Sequence, residues 1–217
     1  MAKSVIFDMD GTILNTLDDL TESVNYALSQ FGFPIRTKDE VRRFVGDGIQ
    51  MLFERALPEN TDNKITKNCI QVFKKHYSSN MYNKTAPYEG IIEVLQELKA
   101  TGISTGVVSN KFDSAVKNLC KKYFGNLIDT AVGQSDEIPP KPSNKGVIKV
   151  LNILNSESAI FVGDSDVDVK TAKNSNLISI GVTWGFRDEK NLKDADYIAN
   201  YPSELTGIIK NIIANLP

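Results

Sequence analysis

Two carboxylates, Asp8 and Asp10, stand directly after a short apolar run near the start of the chain. The run at residues 4–7 predicts a buried parallel strand, and Gly11 ends it. Ligands of open α/β sheets bind beyond the carboxyl ends of the strands, so a binding site is expected here. Two carboxylates ~4 Å apart repel by about 4 kcal/mol at an effective dielectric constant of about 20. The pair therefore indicates a cation nearby. Alternatively, the two residues belong to an ordinary polar turn, in which the same residue types are common.

Further polar side chains follow later predicted strands or precede helices. The set comprises Ser109, Asn110 and Lys111 after the apolar run at 103–108, Lys141 before a predicted helix, and Asp164 and Asp168 after the run at 159–162. Each alone is ordinary, because a serine after a strand is usually a cap and a lysine is usually solvated. Parallel strands end at one edge of a sheet, so we expect these side chains to converge there.

The four aspartates of this set offer only oxygen ligands, with no histidine or cysteine beside them. Such ligands suit Mg²⁺, which usually shares a substrate phosphate. A lysine and a hydroxyl group match phosphate oxygens, and backbone amides around Gly11 and at helix starts expected at Asn110 and Ser143 add donors. The chemistry expected is phosphoryl transfer, with Asp8 as nucleophile and Asp10 as general acid and base.

Composition is ordinary for a globular protein of 217 residues, with 41% hydrophobic and 24% charged residues. The net charge of −2 argues against a nucleic-acid partner. The apolar runs are too short for a membrane span, and no signal peptide is expected after Met1. Cys69 and Cys120 have no partner pattern, which favours core residues in a reducing compartment, the cytoplasm.

Apolar strands alternate with helical segments over most of the chain, which indicates an α/β fold with a parallel sheet. Further strands are predicted at 128–132, 178–182 and 197–199, with helices at 90–99, 114–123, 144–154, 167–174 and 203–214. Residues 16–84 lack a strand pattern and carry apolar helical faces at 15–33, 37–44, 49–57 and 65–76. The predicted division is an α/β core of residues 1–15 and 85–217 with an inserted helical domain of residues 16–84.

The polar set resembles the four motifs of the haloacid dehalogenase superfamily. Asp8-Met9-Asp10-Gly11-Thr12 resembles its DxDGT motif, Ser109 its hydroxyl motif, Lys141 its lysine motif, and Gly163-Asp164 with Asp168 its GDxxxD motif. The insertion resembles the superfamily's four-helix cap. Similarity to a phosphoglycolate phosphatase-like subgroup rests on Val45-Gly46-Asp47-Gly48, Arg55-Ala56-Leu57, Ser109-Asn110-Lys111 and Val182-Thr183-Trp184-Gly185-Phe186.

This resemblance implies a Rossmann-like core and a Mg²⁺-dependent phosphatase for a small phosphorylated metabolite, with 2-phosphoglycolate as the first expectation. Asp8 would be the nucleophile and Asp10 the general acid and base. Mg²⁺ would be held by Asp8, the main-chain carbonyl of Asp10, and Asp164. The implied phosphate-binding set is Thr12, which steadies the aspartate loop, with Ser109, Asn110 and Lys141. Asp168 would lie behind them and orient Lys141 or a metal-bound water.

The sequence departs from the family pattern at Asn15-Thr16 and at Ser143-Asn144-Lys145. These differences bear on the subgroup to which the chain is assigned more than on the reaction that it is expected to catalyse. In the insertion, Gly46 and Gly48 form a loop expected to close over substrate, or alternatively a simple turn. Arg43 is a candidate for the substrate's carboxylate, or a solvated residue. His76 and Trp184 are expected to pack, Trp184 against the segment that joins core and insertion.

Several other functions fit the same motifs. Within the fold they are a β-phosphoglucomutase-like phosphotransferase and a sugar-phosphate or pyrophosphate hydrolase. A receiver-like phosphoacceptor without turnover is more distant, because it lacks an insertion of this size. A metal-free dehalogenase lacks the second acid found here as Asp10. The pattern predicts no particular oligomeric state.

Overall fold

The computed structural model describes residues 3–215. Its strands are β1 (Lys3–Phe7), β2 (Leu14–Asn15), β3 (Ala86–Pro87), β4 (Ser104–Phe112), β5 (Thr130–Gln134), β6 (Ser158–Gly163), β7 (Ile178–Val182) and β8 (Tyr197–Ala199). Six of them form one parallel sheet in the order β5–β4–β1–β6–β7–β8. The predicted α/β fold with a parallel sheet is confirmed.

The helices of the described residues are α1 (Leu17–Gln30), α2 (Lys38–Phe44), α3 (Gly48–Ala56), α4 (Asn63–Asn80), α5 (Ile91–Ala100), α6 (Asp113–Tyr123), α7 (Lys145–Leu154), α8 (Asp166–Asn174) and α9 (Pro202–Asn215). Those that follow β3 cover both faces of the sheet. Successive side chains of a strand point to opposite faces, so Ile6 of β1 packs with residues of α7 and α8 while Val5 and Phe7 pack on the other side.

β1 lies at the centre of the sheet, between β4 and β6. Phe7 is aligned with Val107 on β4 and with Val162 on β6. A strand with helices on both faces buries every side chain, which is why residues 4–7 are continuously apolar apart from Ser4. This register brings the residues that follow β1 and β6 beside the polar end of β4.

Helices α1–α4, here called the inserted helices, lie between β2 and β3. These two strands pair antiparallel, with Leu14 opposite Pro87 and Asn15 opposite Ala86, so the chain leaves and returns at one place. The inserted helices enclose an aromatic cluster in which the Phe73 ring lies 5.5 Å from Phe53 and 5.4 Å from Tyr77. The boundary of the insertion as a separate domain, residues 16–84, stays a prediction.

Two features differ from the sequence-based expectations. β4 continues to Phe112 instead of ending at Val108, because the polar residues Ser109, Asn110 and Lys111 are buried in the interior and not solvated at a strand end. Asn110 therefore lies inside a strand, and not at a helix start. The short ribbon of β2 and β3 is too brief to leave a periodic pattern. No helix within residues 3–215 is long and apolar enough to cross a membrane.

Candidate active site

Asp8 follows β1 and contacts the ammonium group of Lys141. The Lys141 Nζ lies 2.7 Å from Asp8 Oδ1 and 2.6 Å from Asp168 Oδ1. The other Asp168 oxygen accepts hydrogen bonds from the backbone N–H and hydroxyl of Ser165, at 3.0 and 2.6 Å, in the capping box that begins α8. All these groups are buried, so Asp168 is fixed by a helix start and in turn orients Lys141.

Asp164 follows β6, and its carboxylate lies near that of Asp8. Its Oδ2 accepts a hydrogen bond of 2.7 Å from the Phe186 N–H, and its Oδ1 is 3.4 Å from the Thr12 hydroxyl. Gly11 has a φ of +90°, and a Cβ there would lie 2.4 Å from Asp164 Oδ2. Only glycine combines this backbone with so close an approach, which explains the glycine after the two N-terminal aspartates.

Asp8, Asp164 and Asp168 each place one carboxylate oxygen within 4.8 Å of the others. Burial raises the pKa of Asp8 well above its usual value; Lys141 opposes the rise, and the nearby carboxylates add to it. Burial, followed by Asp168, raises the pKa of Asp164 against the hydrogen bond from Phe186. Three buried carboxylates face one ammonium, so two negative charges lack a partner when all are ionised.

This donor set fits a divalent cation. Carboxylate oxygens without histidine or thiolate are the ligands of Mg²⁺, and a charge of +2 equals the deficit left by Lys141. Asp8 and Asp164, both predicted as metal ligands, belong to the cluster. The Asp10 side chain does not, and only its main-chain carbonyl was predicted to serve the metal.

The Asp10 carboxylate is held by a different lysine, Lys111. The Lys111 Nζ is 2.9 and 3.0 Å from the two Asp10 oxygens, and the Thr16 hydroxyl donates to Asp10 Oδ1 at 2.6 Å. Burial alone would lower the pKa of Lys111, but Asp10 and Tyr77 raise it above its ordinary value. Lys111 was predicted to converge with the other polar residues but was given no role, and Thr16 was not predicted at the site. The pairing of Lys111 with Asp10 joins residues 101 positions apart, which leave no local pattern.

Ser109 and Asn110 belong to β4 and lie beside Asp8, which follows β1. Both are buried and border the same cavity as Asp8 and Asp10. The Asn110 side chain is fully engaged: its Oδ1 accepts from the Lys141 N–H at 2.6 Å, and its Nδ2 donates to the carbonyls of Lys141 (3.3 Å) and Gly46 (2.8 Å). Asn110 therefore connects the lysine loop to the inserted helices.

The cavity lies between the sheet edge and the inserted helices and has a volume of about 60 Å³. Gly46 and Gly48 border it, and the closure of their loop over substrate stays a prediction. Gly48 has a φ of +87°, and a Cβ there would lie 2.8 Å from Gln134 Oε1. The remaining wall is largely apolar, from Leu20, Val45, Ile49, Leu52, Phe73, Phe112 and Phe186.

Arg187, unnoticed in the sequence, fixes this loop. Its guanidinium donates to the carbonyls of Arg43 at 2.8 Å and Val45 at 2.6 Å, at the end of α2. Arg43 itself is exposed, and its side chain does not border the cavity. The structure thus brings Arg187 to the site and leaves Arg43 at the surface.

Three other predicted residues have structural contacts. Thr12 is fully buried away from the cavity, beside Asp164. The Trp184 Nε1 donates to the Thr12 carbonyl at 3.1 Å, which fits its expected packing near the joining segment. His76 stacks on Tyr26 with ring centroids 4.0 Å apart and contacts the Ser23 hydroxyl, so it packs within the insertion as expected.

Comparison with known proteins agrees with this geometry. The family model of haloacid dehalogenase-like hydrolases matches residues 5–182, and the chain belongs to this family. A phosphoglycolate phosphatase of Aquifex aeolicus is 30% identical over 212 residues, covering 96% of this chain and 97% of the relative. One of Psychrobacter arcticus is 30% identical over 225 residues, covering 97% of each. A crystal structure of a protein from Lactobacillus delbrueckii superposes with a TM-score of 0.89 at 31% identity, covering 95% of this chain and 97% of that one.

Within the family, the chain is a phosphatase, similar to phosphoglycolate phosphatases.

Proposed function

We propose that this chain is a Mg²⁺-dependent phosphomonoesterase that forms a phosphoryl intermediate on Asp8 and acts on 2-phosphoglycolate. The observation that carries the proposal is the position of Asp8. Its carboxylate lies 2.7 Å from the Lys141 ammonium, within 4.8 Å of Asp164, and at the wall of a cavity shared with Asp10. A nucleophile for an anionic ester needs cations on one side and an acid nearby.

In the first step, an Asp8 oxygen attacks the phosphorus atom and the bond to the ester oxygen breaks. Asp10 gives a proton to the leaving oxygen, which departs as an alcohol. In the second step, Asp10 takes a proton from water, and the resulting nucleophile attacks the phosphorus atom of phosphorylated Asp8. The bond to Asp8 breaks, inorganic phosphate leaves, and both aspartates return to their first state.

Lys141 has two tasks in this scheme. It offsets negative charge on the transferring phosphoryl group, and it holds the Asp8 carboxylate in one orientation. Asp168 maintains that orientation through its contact of 2.6 Å with the same ammonium. Ser109 and backbone amides near Gly11 are the proposed hydrogen-bond donors to the phosphoryl oxygens. Mg²⁺ bound by Asp8, Asp164 and the Asp10 carbonyl would neutralise the remaining charge on these oxygens.

The small cavity supports a short substrate. A volume of about 60 Å³ holds roughly four to six water molecules at about 10–15 Å³ each. The two-carbon alcohol of 2-phosphoglycolate matches that space better than a hexose ring does. The names of the relatives in Aquifex aeolicus and Psychrobacter arcticus point to the same substrate. Free, buried Cys69 and Cys120 support a cytoplasmic location, with a small metabolite as partner.

Release of inorganic phosphate tests the proposal directly. The purified chain would be assayed with 2-phosphoglycolate, hexose phosphates and pyrophosphate, each with Mg²⁺ and with a chelator. We expect Mg²⁺-dependent release that is far faster from 2-phosphoglycolate. Faster release from hexose phosphates or pyrophosphate would transfer the assignment to that substrate, and isomerisation of a sugar phosphate without phosphate release would assign a mutase.

A further inference from the structure

Lys111 is a buried cation that the phosphoryl chemistry described above does not use. Its side chain is 4% exposed and borders the cavity, and its ammonium contacts Asp10, the residue that serves the leaving group. Burying a charged lysine with its carboxylate partner is costly, and apolar residues of similar volume in place of both Lys111 and Asp10 would often be no less stable. Its placement therefore suggests a task toward the substrate.

Tyr77, from α4, provides the second observation. Its ring lies 4.6 Å below the Lys111 ammonium, and the residue borders the same cavity. It is fully buried, and its hydroxyl has no full hydrogen bond among the residues that the structure describes, although it lies close enough to the Lys111 ammonium for each group to shift the pKa of the other. Such a hydroxyl is expensive to bury unless something else completes it. Burial also raises the pKa of this phenol, so the group keeps its proton and remains a donor.

Two donors thus converge at the end of the cavity formed by the inserted helices. A lysine ammonium has three N–H groups, and the two Asp10 oxygens occupy at most two of them. The surrounding wall is apolar, through residues such as Leu52, Phe73 and Phe186. A polyol would find few partners for its hydroxyl groups here, whereas a single anionic oxygen would meet both donors.

We propose that Lys111 and the Tyr77 hydroxyl form the subsite that recognises a carboxylate on the leaving group of the substrate. The proposal rests on the proposed function, and it assigns to Lys111 the role that the sequence analysis considered for Arg43. In a phosphorylated 2-hydroxy acid, one carbon atom lies between the ester oxygen and the carboxylate group, so the two groups stand close together. This matches a general acid and a lysine that are themselves 2.9 Å apart.

The test compares two esters that differ only in the carboxylate: 2-phosphoglycolate and ethyl phosphate. Specificity is the ratio of their kcat/KM values, measured with Mg²⁺. We expect Lys111→Met to lower this ratio about a hundredfold, since only 2-phosphoglycolate has a carboxylate to pair with the buried ammonium and truncating one partner of such a pair is costly. Tyr77→Phe keeps the ring and removes one donor, and should lower the ratio about tenfold, mainly through KM for 2-phosphoglycolate.

Lys74→Met is the matched control. Lys74 also lies on α4, with its ammonium 5.9 Å from the Phe112 ring, but it does not border the cavity. Its ratio should equal that of the unmodified chain. Because Lys111→Met removes the counter-ion of Asp10 and thereby threatens folding, Tyr77→Phe provides an independent reading.

The outcomes separate the two proposals. If the unmodified chain hydrolyses neither ester, the proposed function fails. If it hydrolyses both at equal kcat/KM, the phosphatase assignment stands and carboxylate recognition is refuted. If Lys111→Met and Tyr77→Phe lower both kcat/KM values in parallel, with an unchanged ratio, Lys111 is only the counter-ion of Asp10 and the subsite is refuted.

Discussion

The Nδ2 group of Asn110 donates a hydrogen bond of 2.8 Å to the carbonyl oxygen of Gly46. This contact joins the polar end of the central sheet to the loop between α2 and α3. The Oδ1 atom of the same side chain accepts from the N–H of Lys141. One amide therefore links the loop that borders the cavity to the lysine that contacts Asp8.

Replacing Asn110 should accordingly damage catalysis more than folding. We expect Asn110→Ala to lower kcat/KM about tenfold to hundredfold, because buried partners lose hydrogen bonds worth about 1–3 kcal/mol. Asn174→Ala is the control, since its Nδ2 also donates to this segment, at the Pro142 carbonyl, but from the exposed side. Steady-state kinetics of both variants decide the point; equal effects would mean that Asn110 has no special link to the site.

Stability of the metal-free protein should depend on pH in an unusual direction. Folding raises the pKa of Asp8 and Asp164, so the folded state binds more protons than the unfolded state between acidic and neutral pH. Stability is therefore expected to fall as the pH rises from about 5 to about 8. Melting temperatures measured with chelator should decline across this range, and Asp164→Asn should weaken the decline.

Mg²⁺ should reverse that trend, because it binds the ionised carboxylates of the folded state. The same melting series should be measured with Mg²⁺ from about pH 5 to about pH 8. We expect the stabilisation by Mg²⁺ to be largest at about pH 8, the upper end of this series. A metal-free protein that becomes more stable as the pH rises, or that gains nothing from Mg²⁺, would contradict the cation site.

Gly185 provides a steric test of the position of Asp164. A Cβ at residue 185 would lie 2.2 Å from the Asp164 Cβ, so Gly185→Ala must displace this carboxylate. We expect a loss of about 1–3 kcal/mol in stability and a smaller stabilisation by Mg²⁺. Gly207→Ala is the control, because it lies in α9 with nothing within 4 Å of a new Cβ. Denaturant unfolding with and without Mg²⁺ would compare them; an unchanged Mg²⁺ effect in Gly185→Ala would argue against Asp164 as a ligand.

Arg187 should act mainly on substrate retention. Its guanidinium connects the end of α2 to the core. Arg187→Met should therefore free the loop and raise KM about tenfold, because the hydrogen bonds from a charged group are lost. Arg36→Met is matched, since the Arg36 Nε also donates to a helix-end carbonyl, at Ala56, but within the inserted helices. Kinetics in which Arg36→Met raises KM as much as Arg187→Met would refute a specific loop contact.

Most of the fold could be predicted from the apolar runs in the sequence, because parallel strands that are buried on both faces are continuously hydrophobic. This held for β1, β6 and β7, whose predicted and observed positions agree within two residues. β4 was predicted too short, because a polar sequence indicates solvent, whereas Ser109, Asn110 and Lys111 are buried around the site.

The site was less predictable at points where distant segments meet. The aspartates and Lys141 carried motif signals, and their convergence follows from the strand order. The partnership of Lys111 with Asp10 joins two distant segments of the core, and that of Arg187 with the α2 end depends on how the inserted helices pack on the core. No spacing in the sequence encodes such packing, because the contacts join residues more than 100 positions apart.

The most direct test of the central claim is detection of the phosphoryl group on Asp8. The chain would be mixed with 2-phosphoglycolate and Mg²⁺, quenched in acid during turnover, digested and analysed by mass spectrometry. The account predicts one phosphoryl group on the peptide that contains Asp8, absent in Asp8→Asn, which should also lose turnover. A phosphoryl group on a different residue, or an Asp8→Asn variant that hydrolyses the ester at the unmodified rate, would contradict it.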